Sequence, residues 1–125
     1  MQPEVSPKFD LQERLVTFAV RIIEIAEALP KTFIGKHIGG QLVRSGTSPA
    51  LNYGEAQAAE SRSDFIHKMK ICLKELRETI VNLKIIQKKG YFKPDRLIPI
   101  LRENDELIAI FVKSIGTAKE NDGKV

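Results

Sequence analysis

The chain has 125 residues, 42% of them hydrophobic and 29% charged, with a formal net charge of +4 at neutral pH. That length fits one domain with one ordinary core, and no apolar run is long enough to span a bilayer. The basic excess permits contact with nucleic acid or an anionic surface but falls short of a dedicated basic tail.

A single cysteine, Cys72, excludes an intrachain disulfide. It lies among apolar residues and reads as a small core residue, which fits a reduced, cytoplasmic setting. Residues 1–9 read as a disordered lead-in. They are short, partly acidic and broken by two prolines, so no secretory signal is expected.

The first predicted helix begins at Asp10, whose Asp-Leu-Gln-Glu run places Glu13 in a capping box. Leu11, Leu15, Phe18, Ile22, Ile25 and Leu29 then recur at alternating spacings of four and three, which is a helix seam. Val16, Ala19, Ile23 and Ala26 lie beside it and widen the apolar arc enough for a core and a partner chain. Pro30 closes this helix.

Residues 31–61 supply the second element. One face reads Ile38, Leu42, Ser45, Pro49, Asn52, Ala56 and Ala59, apolar at its ends and small or polar in the middle. Small residues there let a neighbouring helix come close. Gln41, Arg44, Ser48, Asn52 and Glu55 form an adjacent polar stripe. Pro49 removes the hydrogen bond to the Ser45 carbonyl, so a kink near Pro49 is expected. A break with Ser48 as N-cap and Pro49 at the first helical position is the alternative. The common register on both sides favours one kinked helix. Glu75 and Glu78 are the expected partners of Arg44, because a guanidinium fork suits carboxylates. Asn52 is expected to be buried and hydrogen-bonded.

The third helix is expected to start near Ser63 as N-cap, with Asp64 in its first turn. Phe65, Met69, Cys72, Leu76, Thr79, Leu83 and Ile86 form its seam, widened by Ile66, Leu73 and Ile80. Lys88 and Lys89 occupy its last turn and Gly90 ends it. The fourth helix starts at Pro94 or only at Pro99. Its seam is Leu97, Leu101, Asn104, Ile108, Phe111, Ile115 and Ala118, with Asn104 a polar intruder. Residues 119–125 read as a frayed tail. Four helices with short connections, and no strand-like alternation, give an all-α, antiparallel up-down-up-down four-helix bundle over residues 10–118.

The run from Gln41 to Ile86 resembles the signature region of the bacterial four-helix-bundle proteins named for open reading frames in 23S rRNA intervening sequences. Gln41-Leu42-x-Arg44-Ser45, Ser48 and Asn52-x-x-Glu55-Ala56 carry the likeness. Asp64-Phe65-Ile66 and Lys74-Glu75-x-x-Glu78-Thr79 continue it, and Leu29-Pro30-Lys31 fits upstream. Leu83 stands where many members place an aromatic residue. The resemblance covers most of residues 10–118 and implies a bundle that assembles as a homopentamer, with no cofactor and no established enzymatic activity. A relative, the accessory variability protein of diversity-generating retroelements, binds a reverse transcriptase and nucleic acid. The partners it implies are therefore further copies of the chain, RNA or DNA, and a reverse transcriptase or other nucleic-acid enzyme, with no membrane.

Side-chain chemistry narrows the choice further. Bundle metal sites use Glu-x-x-His pairs on facing helices, and neither His37 nor His67 has a glutamate three residues before it. Arg62 and His67 match the Arg-x-x-x-x-His pattern of HEPN ribonucleases, in which an imidazole moves protons and an arginine holds a phosphate. That metal-independent ribonuclease is the rival reading, although Ser63 follows Arg62 where HEPN sequences usually carry Asn, Asp or His. Lys70, Lys74, Arg77, Lys84 and Lys88 recur on one side of the third helix, and Lys89 and Lys93 extend the row into the next loop. Such a row suits phosphate contacts. No aromatic set accompanies it, which predicts shape-tolerant, salt-dependent binding rather than sequence-specific reading of single strands. The expectation is a non-enzymatic homo-oligomeric binding module, with a purely structural protein scaffold as the third reading.

Overall fold

The computed structural model describes residues 10–122. It contains four helices in chain order: α1 (Leu11–Glu27), α2 (Phe33–Gln57), α3 (Arg62–Lys89) and α4 (Pro94–Asp122). No strand occurs among the described residues. Connections of four or five residues force each helix to run antiparallel to the last. Neighbours in sequence pack along their lengths, whereas α1 meets α4 only sparsely. The result is the expected up-down-up-down four-helix bundle. The expected lead-in, residues 1–9, lies outside the described residues, as do residues 123–125.

The starts of α1, α2 and α3 follow from their capping residues. The Asp10 side chain accepts from the Glu13 amide, and the Thr32 hydroxyl accepts from the Gly35 amide. These bonds satisfy donors that a helix N-terminus otherwise leaves open. α3 starts two residues earlier than expected: Ser61, not Ser63, is the N-cap and accepts from the Asp64 amide. Both serines can cap, and Ser61 lets Ser63 join the first turn. Gly90 ends α3 at φ 81°, a left-handed conformation that glycine adopts without a Cβ penalty.

α2 is one continuous helix through Gly46 and Pro49, not two helices parted at Ser48. α4 likewise starts at Pro94 and passes through Pro99. Pro99 falls early enough that its missing donor deprives only the Asp95 carbonyl, in the first turn. α4 also continues to Asp122, past the expected end of the bundle at residue 118, because Ile115 and Ala118 are still buried there.

The core is built from the predicted seams of α1 and α3. Leu15, Phe18, Ile22, Ile25 and Leu29 meet Met69, Cys72, Leu76, Leu83 and Ile86. In α4, Ile100 and Leu107 are buried alongside Leu97 and Phe111, while the seam residues Leu101 and Ile108 are only half-buried. The second stripe of α1 is only partly core: Ala19 is buried and Ala26 half-buried, whereas Val16 and Ile23 are exposed, and so is Val20 between them. Tyr53 of α2 meets Phe111 edge-on, with ring centroids 6.0 Å apart. A bidentate pair ties α1 to α4: Arg14 donates from Nε and Nη2 to Glu103 at 3.1 and 2.7 Å.

Candidate functional site

The small middle of α2 lets α3 approach closely, and a polar cluster forms along that seam. Arg44 crosses from α2 to α3 and donates from Nη1 to Glu75 Oε2 at 3.0 Å and from Nη2 to Glu78 Oε2 at 2.7 Å. Glu75 is buried, so its carboxylate requires this partner. The hydrogen bond from Arg44, reinforced by its charge, holds the Glu78 carboxyl below the usual glutamate range, and Lys74 adds a smaller attraction. The Arg44 guanidinium is raised in turn, chiefly by the bond to Glu78.

Beneath this pair, the buried Ser45 hydroxyl lies 2.9 Å from Thr79 Oγ1 and accepts from Asn82 Nδ2 at 3.3 Å. Thr79 also donates to the Glu75 carbonyl at 2.8 Å. One turn on, the Cys72 thiol reaches the Pro49 carbonyl at 3.6 Å. Burial pushes this thiol up to about 12. Asn52 is half-buried rather than buried, and its amide donates within α2 to the Ser48 carbonyl and hydroxyl at 3.1 and 2.8 Å. Glu55 stands apart from the cluster and pairs with Lys68 at 2.7 Å. Gln41 is exposed at the other end of the stripe. Five of the seven predicted polar residues therefore form two separate groups, Arg44 with Glu75 and Glu78 and Ser48 with Asn52, while Glu55 and Gln41 stand outside both.

An open groove runs over the α2–α3 seam. Gln41 and Arg44 line one side, and Lys70, Leu73, Lys74, Arg77, Glu78, Val81 and Asn82 line the other. Leu73 and Val81 give it an apolar floor, and three exposed cations line one side. Glu75 and Glu78 are turned to Arg44, and Lys70 and Arg77 form no ion pair among the described residues. The remaining predicted cations, Lys84, Lys88, Lys89 and Lys93, are exposed but continue beyond the groove toward the α3–α4 loop. Lys89 Nζ lies 5.3 Å from the centre of the Tyr91 ring.

Arg62 and His67 both lie in the first two turns of α3. They are five positions apart, which sets them about 140° from each other around α3. Arg62 lines a second groove, with Phe65 and Lys113, to which His67 does not contribute. Among the described residues, no group of three or more His, Cys, Asp or Glu side chains is placed to hold a metal ion. No described helix is long and apolar enough to cross a membrane. Sequence periodicity gave no sign of the exposed Phe33–His37 ring pair at the start of α2, stacked at 6.5 Å. An acid-poor flank was the one available signal.

Comparison with known proteins agrees with this architecture. The family model described as 23S rRNA-intervening sequence protein matches residues 8–113. A solved structure of a protein of unknown function from the S23 ribosomal protein family of Bacteroides thetaiotaomicron is 33% identical. The match covers 83% of this chain and 96% of that one, with a TM-score of 0.77. No curated protein matches the chain.

Proposed function

The chain belongs to the 23S rRNA-intervening sequence protein family, and from that premise we propose that it is a non-enzymatic, homopentameric module that binds nucleic acid through the basic side of α3. The observation that carries this reading is the exposed row beginning with Lys70, Lys74 and Arg77 along the α2–α3 groove. Exposed cations can neutralise phosphates and release their counterions, which makes binding salt-dependent. Assembly has its own support. Val16, Val20 and Ile23 on α1, and Ile85 on α3, are exposed apolar residues that neither the monomer's core nor the groove uses. A ring of copies would bury such faces and multiply the basic row. The buried thiol of Cys72 suits a reducing, cytoplasmic setting.

The apolar floor of Leu73 and Val81 favours a second partner for the same groove, a nucleic-acid enzyme such as a reverse transcriptase. Native mass spectrometry and a salt series of RNA and duplex DNA binding test the proposal. The expected result is a pentamer whose affinity falls steeply with salt, and falls further in Lys70→Glu plus Arg77→Glu. A dimer that cleaves RNA, with cleavage abolished by His67→Ala, would overturn it in favour of the ribonuclease. A pentamer without affinity at low salt would leave a protein scaffold.

A further inference from the structure

We propose that the end of the bundle carrying the α1–α2 and α3–α4 loops docks single-stranded nucleic acid, with an unpaired base stacking on Phe33. This rests on the nucleic-acid reading above and adds the form of the ligand and the residue that recognises it.

The acidic residues are unevenly placed. Residues 28–54 and 79–94 contain no Asp or Glu, yet carry Lys31, Lys36, Arg44, Lys84, Lys88, Lys89 and Lys93. The antiparallel register brings the two segments together. Glu55 meets Lys68, Pro49 meets Cys72, and Ser45 meets Thr79. Continued toward the start of α2, that register sets Phe33 and His37 level with residues 86–91 of α3 and its loop. The acids that flank this end are Glu24 and Glu27 of α1 and Asp95 of α4. Lys31 is held at the α1 terminus, donating to the Glu27 carbonyl at 2.8 Å.

Phe33 is 81% exposed, the largest exposure among the large apolar side chains described. Its ring lies nearly parallel to that of His37, with 18° between the planes. Burial in this chain's core does not explain the residue. Its apolar neighbour Ile34 is also exposed, and Lys36 sits one turn from it. A flat aromatic surface within a field of lysines matches the two faces of a single strand, bases on one side and phosphates on the other. Stacking of this kind tolerates any base, because every base has a π-face. A duplex hides its bases and offers only phosphates to the same surface. The α3 row supplies the track, and Phe33 discriminates between the two forms.

The chain has no tryptophan, so Phe33→Trp gives the full-length protein one fluorescent reporter on the ring in question. The probes are oligouridylate and an RNA duplex with the same number of phosphates. Oligouridylate is expected to quench that fluorescence and bind with wild-type affinity, while the duplex binds without quenching. Phe33→Ala is expected to weaken oligouridylate binding about five- to a hundred-fold and leave duplex affinity unchanged. Equal losses for both probes, or none for either while Lys70→Glu plus Arg77→Glu still weakens both, would overturn the stacking site and leave the nucleic-acid reading standing. Absence of binding by the wild-type protein at low salt would overturn both. A changed oligomeric state in Phe33→Ala with unchanged RNA affinity would assign the surface to contacts between copies, and so overturn the proposal.

Discussion

Gly46 faces Ile22 so closely that a Cβ added to the glycine would lie 2.6 Å from Ile22 Cγ2 and 2.9 Å from Cγ1. Both residues are buried, and Ile22 is fully enclosed in the core. Gly46 therefore sets how closely α1 can lie against α2. Gly46→Ala is expected to destabilise the protein by about 1–2 kcal/mol, overpacking outweighing the helix-propensity gain. Gly40→Ala is the control, because nothing lies within 4 Å of that position. It is expected to stabilise by up to about 1 kcal/mol. Denaturant midpoints measure both, and a stabilised Gly46→Ala would show that Ile22 yields easily.

Asn104 is fully buried on α4, and its Nδ2 donates to the Leu76 carbonyl at 3.0 Å. Its Oδ1 finds no hydrogen-bond partner among the described residues. A buried unpaired carbonyl costs stability, and leucine has nearly the same shape. Asn104→Leu is expected to stabilise the bundle by about 1–3 kcal/mol, read from thermal or urea unfolding. A lower midpoint would mean that the bond to Leu76 outweighs the orphaned oxygen.

The Arg44–Glu78 pair predicts a pH dependence of definite sign. The folded protein holds the Glu78 carboxyl below its ordinary 4.5, so the pair stabilises the native state above that value. The contribution is lost as pH falls through the depressed folded value. Exposure keeps it small. The stability gap between wild type and Glu78→Gln should be constant near neutrality and close between pH 4.5 and strongly acidic conditions. A gap that persists at the acidic end would mean the pair acts through packing rather than charge.

Cys72 should be chemically silent in the native state. It is fully buried, and a thiol pushed up to about 12 carries almost no thiolate at neutral pH. Its reaction with a disulfide reagent should be limited by unfolding, and become immediate in denaturant. Rapid labelling of native protein would show that the α2–α3 seam opens readily.

Much of this architecture was legible because the α1 and α3 seams repeat without interruption from Leu15 to Leu29 and from Met69 to Ile86. The Arg44 fork was legible too, since an arginine facing Glu75 and Glu78 across a seam of small residues has obvious partners. Three features were not. Ser61 and Ser63 are equivalent caps until the Asp64 amide selects one. Ile100 and Leu107 were hidden because two prolines left the start of α4, and so its facing, open. Phe33 belongs to no periodic pattern, and its significance comes from its exposure and from the lysines that the antiparallel register brings level with it.

The clasp between Arg14 and Glu103 joins residues 89 positions apart. Every extensive helix interface instead joins neighbours in sequence. The chain can therefore fold by adding one helical hairpin after another, each at low loop-closure cost, with α1 and α4 meeting last. A contact formed after the rate-limiting step governs the lifetime of the folded state more than the speed of reaching it. Stopped-flow kinetics on Arg14→Gln should show faster unfolding at an unchanged folding rate. In that case the clasp is a kinetic latch, setting how long a closed bundle stays closed.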